Sequence, residues 1–230
     1  MNIRIRVALL LATLVLVAGC ATKPQQRVQL EPMKAGDSQK VGVALAKLPK
    51  PALDLPGANC LLCIMAAQVM NSQLARHTDT LDAEELKPVQ ADIADHLRKK
   101  GVAVTLIAEP LLLDTLAEVS DDAPNKARRD FTVLKSRYGV DKLVVISFES
   151  VGILRMYSAY VPTSDPRAFV RGVGYMVDLR SNTYDWYLPI YVARNAEGRW
   201  DEPPKYPGLT NAYFQALEES KDELLEPWKR

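Results

Sequence analysis

The chain of 230 residues is poor in the side chains that carry most metal and acid–base chemistry, since it has three cysteines and only two histidines, His77 and His96. The histidines lie too far apart in sequence for the close pair of a zinc-finger site. A Ser-His-Asp hydrolase needs a nucleophile and an acidic residue set around a histidine, and no local motif indicates such a set. We therefore expect no catalysis, no metal and no cofactor.

An excess of charge of either sign is also missing. The formal net charge is +1, from 29 basic and 28 acidic residues, and such a balance does not attract nucleic acid. The acidic residues within 79–85 lack the alternating oxygen ligands and the glycine of a calcium loop. The stretch 171–174, Arg-Gly-Val-Gly, lacks the third glycine and the following helix of a phosphate-binding loop. We expect no nucleic-acid partner and neither kind of loop.

The N-terminal apolar run, residues 7–17, is too short to cross a bilayer of ~30 Å as a helix. It follows Arg4 and Arg6, which is typical of an export signal. Residues 17–20, Val-Ala-Gly-Cys, resemble the bacterial lipoprotein signal, which implies cleavage before Cys20 and a lipid on its thiol. An ordinary secretory signal with an unused cysteine is the alternative. Ala21 stands where an aspartate would resemble the inner-membrane retention signal, so we expect the outer membrane and a domain facing the periplasm.

The sequence predicts three parts. These are a signal peptide at 1–19, a lipidated cysteine with a flexible tether at 20–39, and one periplasmic domain at 40–230. The tether is polar and contains Pro24 and Pro32, without a sustained apolar period. As a flexible coil its ~19 residues would typically span ~25 Å, which keeps the domain close to its membrane.

The remaining cysteines, Cys60 and Cys63, are three positions apart. In an oxidising periplasm such a pair closes into a local disulfide, worth ~2 kcal/mol in the chain-entropy model. The alternative is a redox couple, because the start of a helix lowers the pKa of a thiol. However, Asn59 precedes the pair where thioredoxin-like motifs carry an aromatic residue. We therefore predict a structural disulfide.

The hydrophobic pattern of 40–230 predicts an α/β fold, with helices packed on a mixed β-sheet. In the first half, we predict strands at 40–48 and 102–108 and helices at 60–77, 87–100 and 125–138. The helix at 60–77 carries apolar residues at helical spacing, which indicates core packing. These residues are Leu62, Met65, Ala66, Val69, Met70 and Leu74.

The second half is predicted to be a meander of long strands followed by a final helix. Residues 142–148 form a near-continuous apolar run typical of a central strand, 169–179 return beside it, and 184–192 follow a tight turn. Gly172 and Gly174 share one face of the middle strand, where a helix or another backbone could approach closely. Thr210 is a candidate cap for the last helix.

This order of elements resembles the small α/β domain of CsgG-like envelope lipoproteins, which also occurs in LpoB and in the N-terminal domain of TolB. The resemblance covers about residues 40–186. Its most specific part is Val-Asp-Leu-Arg-Ser at 177–181 followed by Trp186, although family members mostly have glycine in the turn, where this chain has Ser181 and Asn182. The resemblance implies a domain that docks to envelope proteins or self-assembles, without chemistry of its own.

Aromatic residues in the long hairpin are the candidates for partner binding. Tyr157, Tyr160 and Val161 fall near its predicted tip, and tyrosine is favoured at interface hot spots. The alternative is that they pack on their own sheet. The sequence thus predicts an outer-membrane lipoprotein whose domain docks to, or assembles with, envelope proteins. A CsgG-like oligomeric secretion component and a thiol-disulfide oxidoreductase using Cys60 and Cys63 are the alternatives.

Overall fold

The domain is built on one mixed β-sheet, seen in a computed structural model that describes residues 24–32, 39–121 and 123–229. The predicted signal peptide and Cys20 lie outside the described residues. The strands of the sheet are β1 Lys40–Leu45, β2 Ala52–Asp54, β3 Ala103–Leu106, β4 Lys142–Leu154, β7 Arg167–Asp178 and β8 Thr183–Asn195. They lie in the order β3-β1-β4-β7-β8, with β2 paired to β4. A small separate hairpin pairs β5 (Tyr157–Ser158) with β6 (Val161–Pro162).

This sheet has two parts, a set of short parallel strand pairs and a long antiparallel meander. β1 lies parallel to β3 and to the first part of β4, and β2 continues beside the last part of β4. β4, β7 and β8 are antiparallel and pair along almost their whole length. The apolar run predicted to form a central strand is therefore central, and β4 extends it to Leu154 through a bulge between Phe148 and Ser150. The β5–β6 hairpin connects β4 to β7 at one end of the sheet.

Within the described residues, five α-helices accompany the sheet. They are α1 Leu61–Met70, α2 Ser72–Thr78, α3 Pro88–Lys99, α4 Val133–Tyr138 and α5 Pro207–Leu225. Helix α3 begins at Pro88, one residue after the predicted start, because proline suits the first turn of a helix. Gly101 and Gly139, which follow α3 and α4, have φ angles of 78° and 64°, the left-handed conformation that glycine adopts at low cost.

Helices α3 and α5 cover one face of the sheet, and α4 with the preceding loop covers the other. The first layer includes Ile93, Trp186 and Leu224, and the second is built around Phe131 and Tyr175. The expected close approach occurs at Gly174, where a Cβ atom would lie 2.4 Å from the Trp186 ring and 2.8 Å from the Leu224 side chain. The predicted fold class, a mixed sheet with a C-terminal meander and a final helix, is confirmed.

Three helix predictions need correction. The helix predicted at 60–77 is two helices, because Asn71 has φ −107° and ψ 18° and its side chain donates to the Ala67 carbonyl at 2.7 Å. The helix predicted at 125–138 is regular only in α4. The preceding segment instead lies against the turn between β7 and β8, with the Phe131 amide donating to Asn182 Oδ1 at 2.9 Å. Thr210 lies inside α5 rather than capping it, and its hydroxyl donates to the Tyr206 carbonyl at 3.0 Å.

Part of the segment predicted to be a flexible tether is held against the domain. Residues 24–32 lie against the domain, where Val28 pairs with Tyr187 through two backbone hydrogen bonds of 3.0 Å. The Gln25 amide nitrogen donates to Asn125 Oδ1 at 3.2 Å, and Leu30 packs on the core. The open edge of β8 supplies these bonds, since an edge strand has unpaired backbone groups. Residues 33–38, the rest of the predicted tether, lie outside the described residues.

Candidate docking surface at the hairpin end

At the end of the sheet that carries the β5–β6 hairpin, two stretches of sequence lack charged residues and the surface is apolar. Residues 55–75 and 156–164 contain no Asp, Glu, Lys or Arg, in a chain that is 25% charged. The first stretch includes α1 and the second includes the β5–β6 hairpin. Their exposed apolar side chains form what we call the tip surface: Leu61, Leu62, Ile64, Met65, Val69, Met70, Met156, Tyr160 and Val161.

Helix α1 buries its small residues and exposes its large ones. The two buried residues of α1 are Cys63 and Ala67, whereas its six exposed large hydrophobic residues range from 41% exposed at Ile64 to 75% at Leu61. A helix that is apolar all round is normally buried on all sides. Complete burial of one large aliphatic side chain is worth ~1.5–3 kcal/mol. Covering this helix would therefore be strongly favourable.

A buried polar residue holds the end of α1 in place. Asn71 is 2% exposed, and its amide nitrogen donates to the Tyr157 hydroxyl at 2.6 Å. Its Oδ1 accepts a hydrogen bond of 2.8 Å from Arg155 Nη1. Tyr157 itself packs in a small cluster with Ala58, Cys63 and Ala67. The orientation of α1 is thus fixed by the hairpin, although few large side chains lie between the two.

A disulfide joins Cys60 to Cys63 at the start of α1. Cys60 precedes the helix, and its sulfur accepts a hydrogen bond of 3.0 Å from the Cys63 amide. The Tyr160 hydroxyl lies 3.6 Å from the same sulfur, and it is the donor because a disulfide sulfur carries no proton. The two ends of α1 are therefore both tied to the hairpin, one through Tyr160 and the other through Tyr157.

The three hairpin residues predicted as candidates for partner binding differ in their exposure to solvent. Tyr160 and Val161 are 49% and 62% exposed, but Tyr157 is only 5% exposed. Tyr157 therefore supports the surface from below and cannot contact a partner directly, which corrects the expectation that it is an exposed contact. The predicted core role of Leu62, Met65, Val69 and Met70 is also wrong, since all four are exposed.

Sequence reasoning missed the contribution of α1 to this surface. Helical periodicity groups Leu62, Met65 and Val69 on one side of the helix, but it does not say whether that side faces the core or the solvent. One signal in the sequence points outward: the small residues Cys63 and Ala67 lie on the opposite side of the helix. A small-residue stripe packs close to a neighbour and leaves the large side chains outside.

A row of ring contacts extends from the tip towards the start of α5. The Arg155 guanidinium lies 5.0 Å from the Trp200 ring centroid, and Trp200 is parallel to Tyr206 at 6.1 Å. Tyr206 in turn lies 5.1 Å from the His77 ring. Arg155 also donates from Nε to the Ser164 carbonyl at 3.3 Å. These contacts hold the guanidinium group of Arg155 in a fixed position.

The one close pairing of a histidine with a hydroxyl among the described residues joins His77 Nε2 to Thr210 Oγ1 at 2.8 Å. The Thr210 hydroxyl already donates to the Tyr206 carbonyl, so the imidazole nitrogen acts as the donor in this pair. Partial burial, together with the nearby positive charge of Lys205, lowers the pKa of His77. A histidine that donates to a helix hydroxyl beside a cation is typical of packing rather than of a nucleophile-base pair.

No cluster of three or more potential metal ligands occurs within residues 24–32, 39–121 and 123–229. Across the same described ranges, no helix combines the length and the apolar character needed to cross a membrane.

Comparison with known proteins assigns no family. No protein-family model matches the sequence, and no curated protein matches it. Similar solved structures include the PelC dodecamer of Paraburkholderia phytofirmans, with 10% identity over 88% of this chain and 94% of that one and a TM-score of 0.36. Protein XCC0632 of Xanthomonas campestris has 13% identity over 88% and 90% of the two chains and a TM-score of 0.35. Lipoprotein GNA1162 of Neisseria meningitidis has 15% identity over 80% and 99%, with a TM-score of 0.27. Resemblance to CsgG-like, LpoB-like or TolB-like domains is not shown by these matches.

Proposed function

We propose that the protein is a lipoprotein of the bacterial outer membrane, anchored through Cys20, whose periplasmic domain docks to or assembles with envelope proteins and performs no catalysis. The observation that carries this proposal is the tip surface, where α1 exposes six large apolar residues. Contiguous apolar surface of this kind on a soluble domain marks a site of protein or membrane interaction.

The arrangement of anchor and tip supports docking away from the point of attachment. Residues 20–23 have a maximum reach of ~14 Å before Pro24, and Gln25 is already bonded to Asn125. Asn125 accepts from the Tyr184 amide, and Tyr184 lies level with Leu143 across the sheet. From Leu143 to the end of β4 the sheet extends ~35 Å. The lipid and the tip surface therefore belong to opposite ends of the domain.

Two kinds of observation support a role without catalysis. The partly buried His77 is held by a helix hydroxyl and lies beside a lysine. The described tyrosines with raised pKa values, Tyr175, Tyr184, Tyr187 and Tyr213, owe the shift chiefly to burial, which keeps their hydroxyls neutral. Perturbed groups at an active site are usually arranged in a cleft. Tyr175, Tyr184 and Tyr187 instead contact one another as packed rings in one layer of the sheet, and Tyr213 lies in the other layer.

A thiol-disulfide oxidoreductase is the second candidate, because Cys60 is exposed at the start of a helix and Cys63 is buried behind it. That order resembles a redox pair in which the exposed sulfur is attacked first. The discriminating measurement is the rate at which the purified protein reduces or oxidises a model disulfide peptide. Turnover that disappears in Cys60→Ser would establish the redox function and displace the docking proposal.

The test of the proposed function is crosslinking in intact cells followed by purification of the lipidated protein. We expect Leu62→Asp combined with Val69→Asp to abolish the recovery of crosslinked partners, since both side chains lie on the tip surface. The matched control is Leu112→Asp, which changes a residue that is 51% exposed elsewhere on the domain. Partner recovery that is equal in the tip variant and the control would overturn the docking role of the tip.

The anchor is tested separately by fractionation. Cys20→Ala should remove the protein from the outer-membrane fraction, and intact mass should show the loss of the lipid. Retention of the Cys20→Ala chain in the outer membrane would contradict anchoring through this residue.

A further inference from the structure

We infer that the occupant of the tip surface is a second copy of this chain, so that two domains pair through their α1 helices. This inference rests on the proposed docking function and names the partner of the same surface. Three observations carry it: the reach of the undescribed segments, the absence of charge at the tip, and the balance of charges at its border.

Once the signal peptide is removed, as the proposed function implies, neither residues 20–23 nor residues 33–38 can reach the tip surface. Residues 33–38 connect Pro32, beside β8, to the start of β1, and Lys40 lies level with Asp141 at the opposite end of the sheet. Six residues span at most ~21 Å, whereas the sheet extends ~35 Å from that end to the hairpin. Residues 20–23 begin from the same end, where Gln25 contacts Asn125. Neither segment can cover α1, which favours another molecule as its cover.

The absence of charge makes the tip surface complementary to itself. A twofold interface places each surface against its own copy, so a charged residue near the axis meets the same charge and opposes assembly. Helix α1 has no charged residue, and residues 156–164 of the hairpin have none either. Gln68, the polar side chain within α1, is exposed and has both donors and an acceptor for its own copy.

The border of the surface favours a protein over a bilayer. Each charge-free stretch is flanked by one acidic and one basic residue: Asp54 and Arg76 flank the first, and Arg155 and Asp165 flank the second. Segments that bind anionic membranes are instead enriched in Lys and Arg around the apolar part. Arg155 is in addition occupied by Asn71, Ser164 and the Trp200 ring. The border thus has no excess of positive charge for lipid head groups.

The size of the surface suits partners that share a membrane. One ten-residue helix with part of a hairpin offers on the order of 600 Å² per partner, which is at the small end of stable interfaces. Anchored molecules meet at a high effective concentration, which strengthens a small interface without new contacts. Two lipid-anchored copies of this chain meet that condition, since each carries the same anchor at the same end.

The central residue of α1 provides a direct test. Two copies that cross near the middle of their helices bring both Met65 side chains together, so Met65→Cys should form an intermolecular disulfide in membranes under mild oxidation. Met65 is 54% exposed, and the native cysteines of the domain are already joined. The matched control is Leu112→Cys, which should remain uncrosslinked.

Sedimentation of the mature chain with Cys20→Ala, in buffer without detergent, measures the same contact in solution. This chain keeps every described residue. We expect a concentration-dependent dimer, and we expect Val69→Asp to raise its dissociation constant by more than about tenfold, because each dimer would bury two unpaired charges. The same variant should remain folded, since Val69 is 74% exposed.

The outcomes separate this inference from the proposed function. A Met65→Cys dimer together with a dimer that Val69→Asp dissociates supports both. A monomer that binds vesicles of phosphatidylethanolamine and phosphatidylglycerol overturns the inference and assigns the tip to the bilayer. A monomer whose Met65→Cys variant crosslinks to a different envelope protein also overturns the inference but leaves the proposed function standing. A chain that gives no crosslink and binds no vesicles overturns both.

Discussion

The side-chain amide of Asn71 donates a hydrogen bond of 2.6 Å to the hydroxyl of Tyr157, which lies 86 positions later in the chain. This bond joins the break between α1 and α2 to the hairpin that follows β4. It is buried, and Arg155 shares the same asparagine. The position of the exposed helix therefore depends on a polar contact beneath it, because its own inner side chains are small.

Removing this contact should loosen the tip. Tyr157→Phe should lower the free energy of unfolding by ~1 kcal/mol, and Asn71→Ala by ~2–3 kcal/mol because it leaves both Tyr157 and Arg155 without this partner. Urea unfolding followed by circular dichroism measures both changes. Tyr160→Phe is the control. It removes only an exposed contact of 3.6 Å with the Cys60 sulfur and should change the stability by less than ~0.5 kcal/mol. Equal effects at Tyr157 and Tyr160 would contradict the supporting role of the buried bond.

The disulfide between Cys60 and Cys63 should contribute a modest stability. Closing a loop this short is worth ~2 kcal/mol in the chain-entropy model, so Cys60→Ser combined with Cys63→Ala should lower the free energy of unfolding by about that amount or slightly less. Serine keeps a capping oxygen at the helix start, and alanine fits the buried position. Reductant should destabilise the wild type to the level of this variant and leave the variant unchanged. A wild-type midpoint that is insensitive to reductant would contradict the prediction.

The sheet and the helix ends were predictable because the sequence patterns that indicate them are local. The apolar run that became β4 has the composition of a central strand, and Pro88, Gly101 and Gly139 mark helix ends through their own backbone preferences. Gly172 and Gly174 were predicted to share a face of β7 where a helix or another backbone approaches, and Gly174 lies against Leu224 of α5. In each case the residue type determines the conformation of its own segment, so the conformation can be predicted from a single sequence.

The tip was not predictable in the same way, because its arrangement depends on contacts between distant segments. Asn71 ends α1 although it is neither glycine nor proline, and its main partners are on the hairpin. Apolar residues surround α1 on all sides, so the sequence offers no polar face to orient it. Residues 24–32 have little apolar pattern, and two backbone bonds between Val28 and the edge of β8 hold them. The hydrophobic periodicity of a sequence gives no indication of such backbone hydrogen bonds.

Gly174 should be intolerant of a side chain. Its Cβ would overlap the Trp186 ring and the Leu224 side chain, so Gly174→Ala should destabilise the domain by ~1–3 kcal/mol through overpacking. Near-ultraviolet circular dichroism should show a change at the tryptophan. Leu224→Ala opens space on the helix side, and the double variant should be less destabilised than the sum of the single variants. Strict additivity would show that the two side chains do not compete for the same space.

His77 should make the domain lose stability as the pH falls from 7.5 to 5.5. Partial burial and the positive charge of Lys205 lower the pKa of His77, so the unfolded chain takes up a proton before the folded chain does. The contribution of His77 is therefore fully present above its unfolded pKa of about 6.5 and is lost as the pH falls through the lower folded value. His77→Gln removes the titrating group and should flatten this part of the profile, measured as the urea midpoint at each pH. The control is His96→Gln, which keeps His77 and should keep the loss. If His77→Gln retains the wild-type slope between pH 7.5 and 5.5, another group causes the acid sensitivity, and the contacts of His77 with Thr210 and Tyr206 do not depend on its neutral state.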